Sequence, residues 1–198
     1  MKRKILCLSI IAIMLAILAA GTIAYFTAEG RAHNVITTGS IKISVVEQQL
    51  VDDKLVDYPN ETIKDVIPGA EISKIVTIKN NGSSEAWIRV NVEKSITLDK
   101  ENPAAKDVTP DVGLILIETS DDWTRPDADG YYYYKKPVSA NDSTTALFDT
   151  VTFAPQMGNA YQNCEVSIKV YAQAVQTAHN TPADGDVLKV AGWPEKGE

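Results

Sequence analysis

Histidine and cysteine are nearly missing from this chain, with two of each in 198 residues. The histidines, His33 and His179, stand alone, and no His-Glu-x-x-His segment places two imidazoles on one helical face for zinc. Gly-x-Ser-x-Gly, Ser-x-x-Lys and Gly-x-x-x-x-Gly-Lys are also missing, which removes the common serine-nucleophile and phosphate-loop chemistries. One of the two cysteines, Cys7, lies inside an apolar N-terminal run with no small-residue lipobox before it. The other, Cys164, is the only one left once an N-terminal signal is removed, so it could pair between chains but the mature chain is not a disulfide-stapled scaffold. "EVSIKVYA" directly after Cys164 reads as a buried strand, where a thiol behaves as a small apolar residue. The expectation is a protein that is not an enzyme and carries no metal or cofactor.

Basic residues are also few, 19 against 26 acidic, and three of the 19 are Lys2, Arg3 and Lys4. After them, Ile5 to Ala20 runs without a charge, Gly21 and Thr22 break the run, and Thr22-Ile23-Ala24 ends in a small residue. A basic start, an apolar stretch and a small-residue site are the parts of an export signal, with cleavage between Ala24 and Tyr25. The apolar core is shorter than the roughly 20 residues a spanning helix prefers, although counting on to Ala28 gives a stretch that could anchor. Cleavage is the preferred reading, so the membrane is met only through the uncleaved signal. The mature chain then carries a net charge of −10. That is the wrong sign for nucleic acid and for anionic lipid headgroups.

What is present in quantity is β-pattern. "SIKISVV" (40–46) alternates Ile41, Ile43 and Val45 against polar neighbours. Residues 71–96 give two strands around Asn80-Asn81-Gly82, where Asn and Gly tolerate positive φ. Pro68-Gly69 centres another turn just upstream. "VGLILIETS" (112–120) is apolar on both parities and predicts a central strand covered on both sides. Asp129-Gly130 turns the chain into Tyr131 to Tyr134, a returning strand with two rings inward and two outward. Residues 150–155 and 164–176 give two more strands, and 184–193 the one short helix of the mature chain. Asp127-Ala128-Asp129-Gly130 has the opening of a calcium loop but not its later ligands. Its plain reading is an Asp-Gly turn. The Asn-x-Ser/Thr triplets at Asn60, Asn81 and Asn141 fall in turns.

Short strands with turn signals and no βαβ alternation predict an all-β fold, an antiparallel β-sandwich of jelly-roll-like or Ig-like type. An N-terminal signal helix and a short C-terminal helix flank it. The expected division is a signal peptide over 1–24, an extended segment over 25–40, and one domain over 41–198.

"GTIAYFTAEGRAHNVITTGSIKISVVE" (21–47) resembles the N-terminus of the TasA/camelysin family, exported proteins of Gram-positive bacteria processed by the SipW class of signal peptidase. "IPGAEISKIVTIKNNGSSEAWIRV" (67–90) is similar to a second block of that family, and "DGYYYYKKPV" and "EVSIKVYAQAVQ" to later ones. The resemblance implies a jelly-roll-like sandwich, secretion to the cell envelope, and a group that includes biofilm-matrix fibre subunits. In such fibres the N-terminal segment of one subunit adds a strand to its neighbour. Here Tyr25, Phe26, Val35, Ile36, Ile41 and Ile43 would carry that role, and an open sheet edge is a template for strand addition. The implied partners are further copies or other matrix proteins. A monomeric surface-binding module, with an exposed aromatic site at Tyr131 to Tyr134, is the alternative reading. Camelysin-like members are described as surface metalloproteases, an activity for which this sequence has no recognisable zinc motif.

Overall fold

The computed structural model describes residues 35–36, 41–59, 63–64 and 67–194. All of them fall within one of the two units into which the chain divides, His33–Glu198. The signal segment, the Ala24–Tyr25 junction, Phe26, His33 and Asn60 lie outside the described residues. Among the described residues no helix is long and apolar enough to cross a membrane.

The described residues form ten strands: β1 Val35–Ile36, β2 Ile43–Val51, β3 Lys54–Asp57, β4 Glu71–Ser73, β5 Ile75–Asn80, β6 Ala86–Thr97, β7 Ile115–Ile117, β8 Tyr131–Tyr133, β9 Thr150–Phe153 and β10 Glu165–Gln176. One layer is the sheet β1-β10-β6-β8. Its spine is the antiparallel pair β10–β6, in register from Glu165 opposite Thr97 to Gln176 opposite Ala86. Alternation puts Val166, Ile168, Val170, Ala172 and Ala174 of β10 into the core beside Ile88 and Val90 of β6. The other layer is built from β3-β2-β5 and β4-β9-β7. The segment 142–148 runs along β5, with Val76 N–H donating to Phe148 O (3.0 Å) and Leu147 N–H to Val76 O (2.8 Å). Every ladder is antiparallel except β1–β10, and the fold is the all-β sandwich that the alternating segments predict.

The turns follow their chemistry. Gly69 sits at φ 78° and Gly130 at φ 79°. A Cβ on Gly130 would also stand 3.2 Å from Asn91 Nδ2, which donates to the Gly130 carbonyl at 2.9 Å. Asn80 is fully buried and organises the turn after β5. Its Nδ2 donates to Ser84 O and Val138 O, while its Oδ1 accepts from Gly82 N–H. Cys164 is free and buried immediately before β10, as its sequence neighbours suggest.

Three sequence expectations change. Residues 112–120 do not form a central strand. Val112–Leu114 is a 3-10 turn capped by Asp111, and β7 is a three-residue edge strand on which Leu116 is 46% exposed. The C-terminal helix is replaced by two 3-10 turns, Ala183–Gly185 and Val187–Lys189. Asp186 and the glycines at 185 and 192, both with positive φ, leave no run long enough to pay for helix nucleation. Of Tyr131 to Tyr134, three rings are buried and only Tyr132 is half-buried. The outer face of the sheet is not solvent, because the C-terminal tail covers it. There Trp87, Tyr131, Tyr133 and Val175 pack under Val187, Val190 and Trp193.

Arg89 lies inside that second cluster. Its guanidinium carbon is 4.0 Å from the Tyr131 ring centre and 4.7 Å from that of Trp193. Its Nε donates to Gln173 Oε1 (2.8 Å), and Nη2 to the Pro194 carbonyl (3.3 Å). A cation sandwiched by two aromatic faces, with its donors engaged, can be buried at low cost.

Candidate functional site

An edge strand presents a row of N–H and C=O groups that something must satisfy. The sheet β1-β10-β6-β8 meets this demand differently at its two edges. At β8 the strip Thr124–Asp127 folds back and seals the edge. Thr124 N–H donates to Tyr133 O (2.9 Å), and Asp127 N–H to Tyr131 O (3.0 Å). In return, Tyr133 N–H donates to Thr124 Oγ1 (3.0 Å), and Tyr131 N–H to Asp127 Oδ1 (2.9 Å). Asp127 Oδ2 also accepts from the Tyr133 hydroxyl at 3.1 Å. Asp127 thus serves the Asp-Gly turn and the strand that follows it, in keeping with the plain reading of that segment.

At the other edge, Val166 exchanges both backbone bonds with Ile63, each at 3.0 Å. Six residues on, β1 lies parallel to β10, with Val35 beside Ala172 and Ile36 beside Gln173. Because alternate residues of a strand point their amides to opposite sides, the pairing at Val166 and Ala172 fixes the direction for those between. Ile168 and Val170 turn N–H and C=O toward this outer edge. No described strand pairs with β10 there between Val166 and Ala172. The side chains along this gap keep the strand's alternation, with Ile168 and Val170 in the core and Lys169 exposed.

The residues singled out for strand addition therefore separate. Val35 and Ile36 form β1 on the β10 edge. Ile41 and Ile43 are 1% and 3% exposed and belong to the chain's own core, with Ile43 opening β2 opposite Asn80. Tyr25 and Phe26 lie outside the described residues. The sealing of β8, and the stretch of the outer β10 edge with no described partner strand, left no mark in hydrophobic periodicity. Thr124 and Asp127 carried a weak one, as polar residues three apart before a strand.

The class this fold defines is an all-β sandwich, sealed along β8 and, among the described residues, without a partner strand on the outer edge of β10 between Val166 and Ala172. The chain belongs to the camelysin family, since the model described as camelysin metallo-endopeptidase matches residues 1–124. No curated protein and no solved structure matches the chain.

The family's description implies a catalytic metal, and the described residues do not fit one. No three His, Cys, Asp or Glu side chains among them converge on a point that could hold an ion. His179 is exposed in a turn at φ 60°. Cys164 is buried in the core, and burial raises its thiol pKa, away from the thiolate a metal needs. The most buried ion pair among the described residues, Lys74 with Glu47, spans 2.9 Å, and Lys74 also makes a cation–π contact of 3.9 Å with the Tyr58 ring.

Proposed function

We propose that this is an exported, non-catalytic structural protein of the cell surface or extracellular matrix, which self-associates when the N-terminal segment of one copy adds to the β10 edge of the next. The observation that carries this reading is the β10 edge itself. It takes a short parallel strand from the N-terminal side of the chain, and no described strand pairs with Ile168 and Val170 along that edge. An added strand would gain main-chain hydrogen bonds there, the currency of β-augmentation. Export rests on the N-terminal signal pattern, and the acidic mature chain argues against retention through anionic lipid headgroups.

Electron microscopy of mature protein beginning at Tyr25, beside a version lacking residues 25–40, tests the mechanism. Fibres are expected from the first and not from the second. Fibres from both, or from neither, would overturn it.

A further inference from the structure

On the outer face of the β4-β9-β7 sheet lies a cleft of about 1050 Å³. Its floor is one register row, Glu71–Thr152–Leu116, with Thr150 beside it. These side chains point away from Val151 and Phe153, which fill the core. The segment 118–126 forms a wall and is fixed in place. Ser120 N–H donates to Leu147 O (3.0 Å), and its hydroxyl to Ala146 O (2.7 Å). Tyr132, the one incompletely buried ring of the tyrosine run, lines the cleft together with Thr119.

We propose that this cleft binds a neutral, hydroxyl-rich ligand, a segment of uncharged glycan. Threonine and serine hydroxyls both donate and accept, the carboxylates only accept, and Arg125 and Lys135 only donate. Sugar hydroxyls, which do both, can satisfy such a mixed lining, and the Tyr132 ring offers an apolar flank to the sugar's C–H face. An apolar ligand would strand these polar groups without partners. An anionic glycan would meet four carboxylates, Glu71, Glu118, Asp121 and Asp149, against two cations. The cleft floor belongs to the other layer of the sandwich and no β10 residue lines it, so this inference stands independently of strand addition.

The test is amide chemical-shift mapping on the mature chain with three probes: the β-1,4-linked N-acetylglucosamine tetramer, cellotetraose, and an oligogalacturonate as the anionic arm. Saturable shifts at Thr119–Thr124 and Thr150–Thr152 are expected with at least one neutral probe and not with the oligogalacturonate. Thr152→Arg, on the cleft floor, is expected to weaken binding at least about tenfold. Thr97→Arg, exposed at the far end of β6, should leave it unchanged. Leu116→Arg supplies a second floor variant should Thr152→Arg lose its dispersed spectrum. No shifts with either neutral probe, shifts elsewhere on the surface, full binding by the folded floor variants, or preference for the anionic probe would each overturn the proposal.

Discussion

Lys74 is the residue on which the second layer turns. The chain leaves β4 in one sheet and enters β5 in the next at this position, where Lys74 N–H donates to Asp149 O at 2.9 Å. Its side chain is 3% exposed and is met by Glu47 and the Tyr58 ring. Burial lowers the lysine's pKa, and the Glu47 hydrogen bond and charge oppose that shift. Removing one member of a buried pair strands the other. Lys74→Ala is therefore expected to cost about 3 kcal/mol in urea denaturation, and the double variant Lys74→Met, Glu47→Leu to recover most of it. Cys164 gives a second expectation. Burial raises its thiol above the ordinary 9.0, partly offset by a backbone hydrogen bond. The folded state then holds a proton that the unfolded state releases, so this contribution is full below pH 9.0 and is lost as pH rises beyond it. Urea midpoints taken from about pH 8 to about pH 10.5 should fall less steeply in Cys164→Ala than in the parent. Tyr58, Tyr132 and Tyr133, raised chiefly by burial, pull in the same direction from 10.0 upward in both proteins and cancel in the comparison.

At the scale of elements, β10 decides whether strand addition operates. Val170 directs its N–H to the edge where no described strand pairs with β10, so proline there removes that donor without touching a β6 hydrogen bond. Val170→Pro is expected to remain folded, lose on the order of 2 kcal/mol, and fail to form fibres. Val170→Ala, costing about as much by cavity formation, keeps the donor and should still assemble. Circular dichroism with electron microscopy separates the two. The strands with clean alternation, β2, β5, β6, β9 and β10, could be read from the sequence because one face of each meets a core. The β2–β3 hairpin could not. Asp52 and Asp53 turn it with φ of 49° and 59°, and Leu50, Val51, Leu55 and Val56 are all 40% exposed or more. Apolar residues on both faces of a protruding ribbon give no period. Likewise "LILI" promised a central strand, but Lys94 Nζ takes the Ile115 carbonyl at 2.8 Å and β7 ends within three residues at an edge. The β10 edge could be anticipated only as a long strand. What pairs with its outer side depends on where Ile63 and residues 35–36 fall, a long-range matter that local sequence does not encode.

For the whole molecule, the C-terminal tail matters more than its lack of regular structure suggests. It converts the outer face of the β10-β6-β8 sheet into a second small core. Trp87 Nε1 donates to Asn180 O (2.9 Å), and Asn180 in turn pins Ala191 through both its amide atoms. Without residues 186–198, Trp87, Tyr131, Tyr133, Val175 and the Arg89 guanidinium would face water together. A chain truncated after Gly185 is expected to bind a hydrophobic dye and to aggregate on warming, as contiguous exposed apolar surface does. Loss of solubility with an otherwise retained β spectrum is the outcome to look for.

The placement of the three tryptophans gives this architecture an optical consequence. Trp123 lies in the main core, tilted against Tyr134 at 5.0 Å, while Trp87 and Trp193 both belong to the tail interface. Trp193 stands edge-on to Tyr133 at 5.7 Å and over the Arg89 cation. Emission from two of the three indoles therefore reports the seating of the tail, and that of the third the integrity of the sandwich. A red shift on heating that precedes loss of the β signal would mark the tail leaving first, and Trp123→Phe would isolate that event.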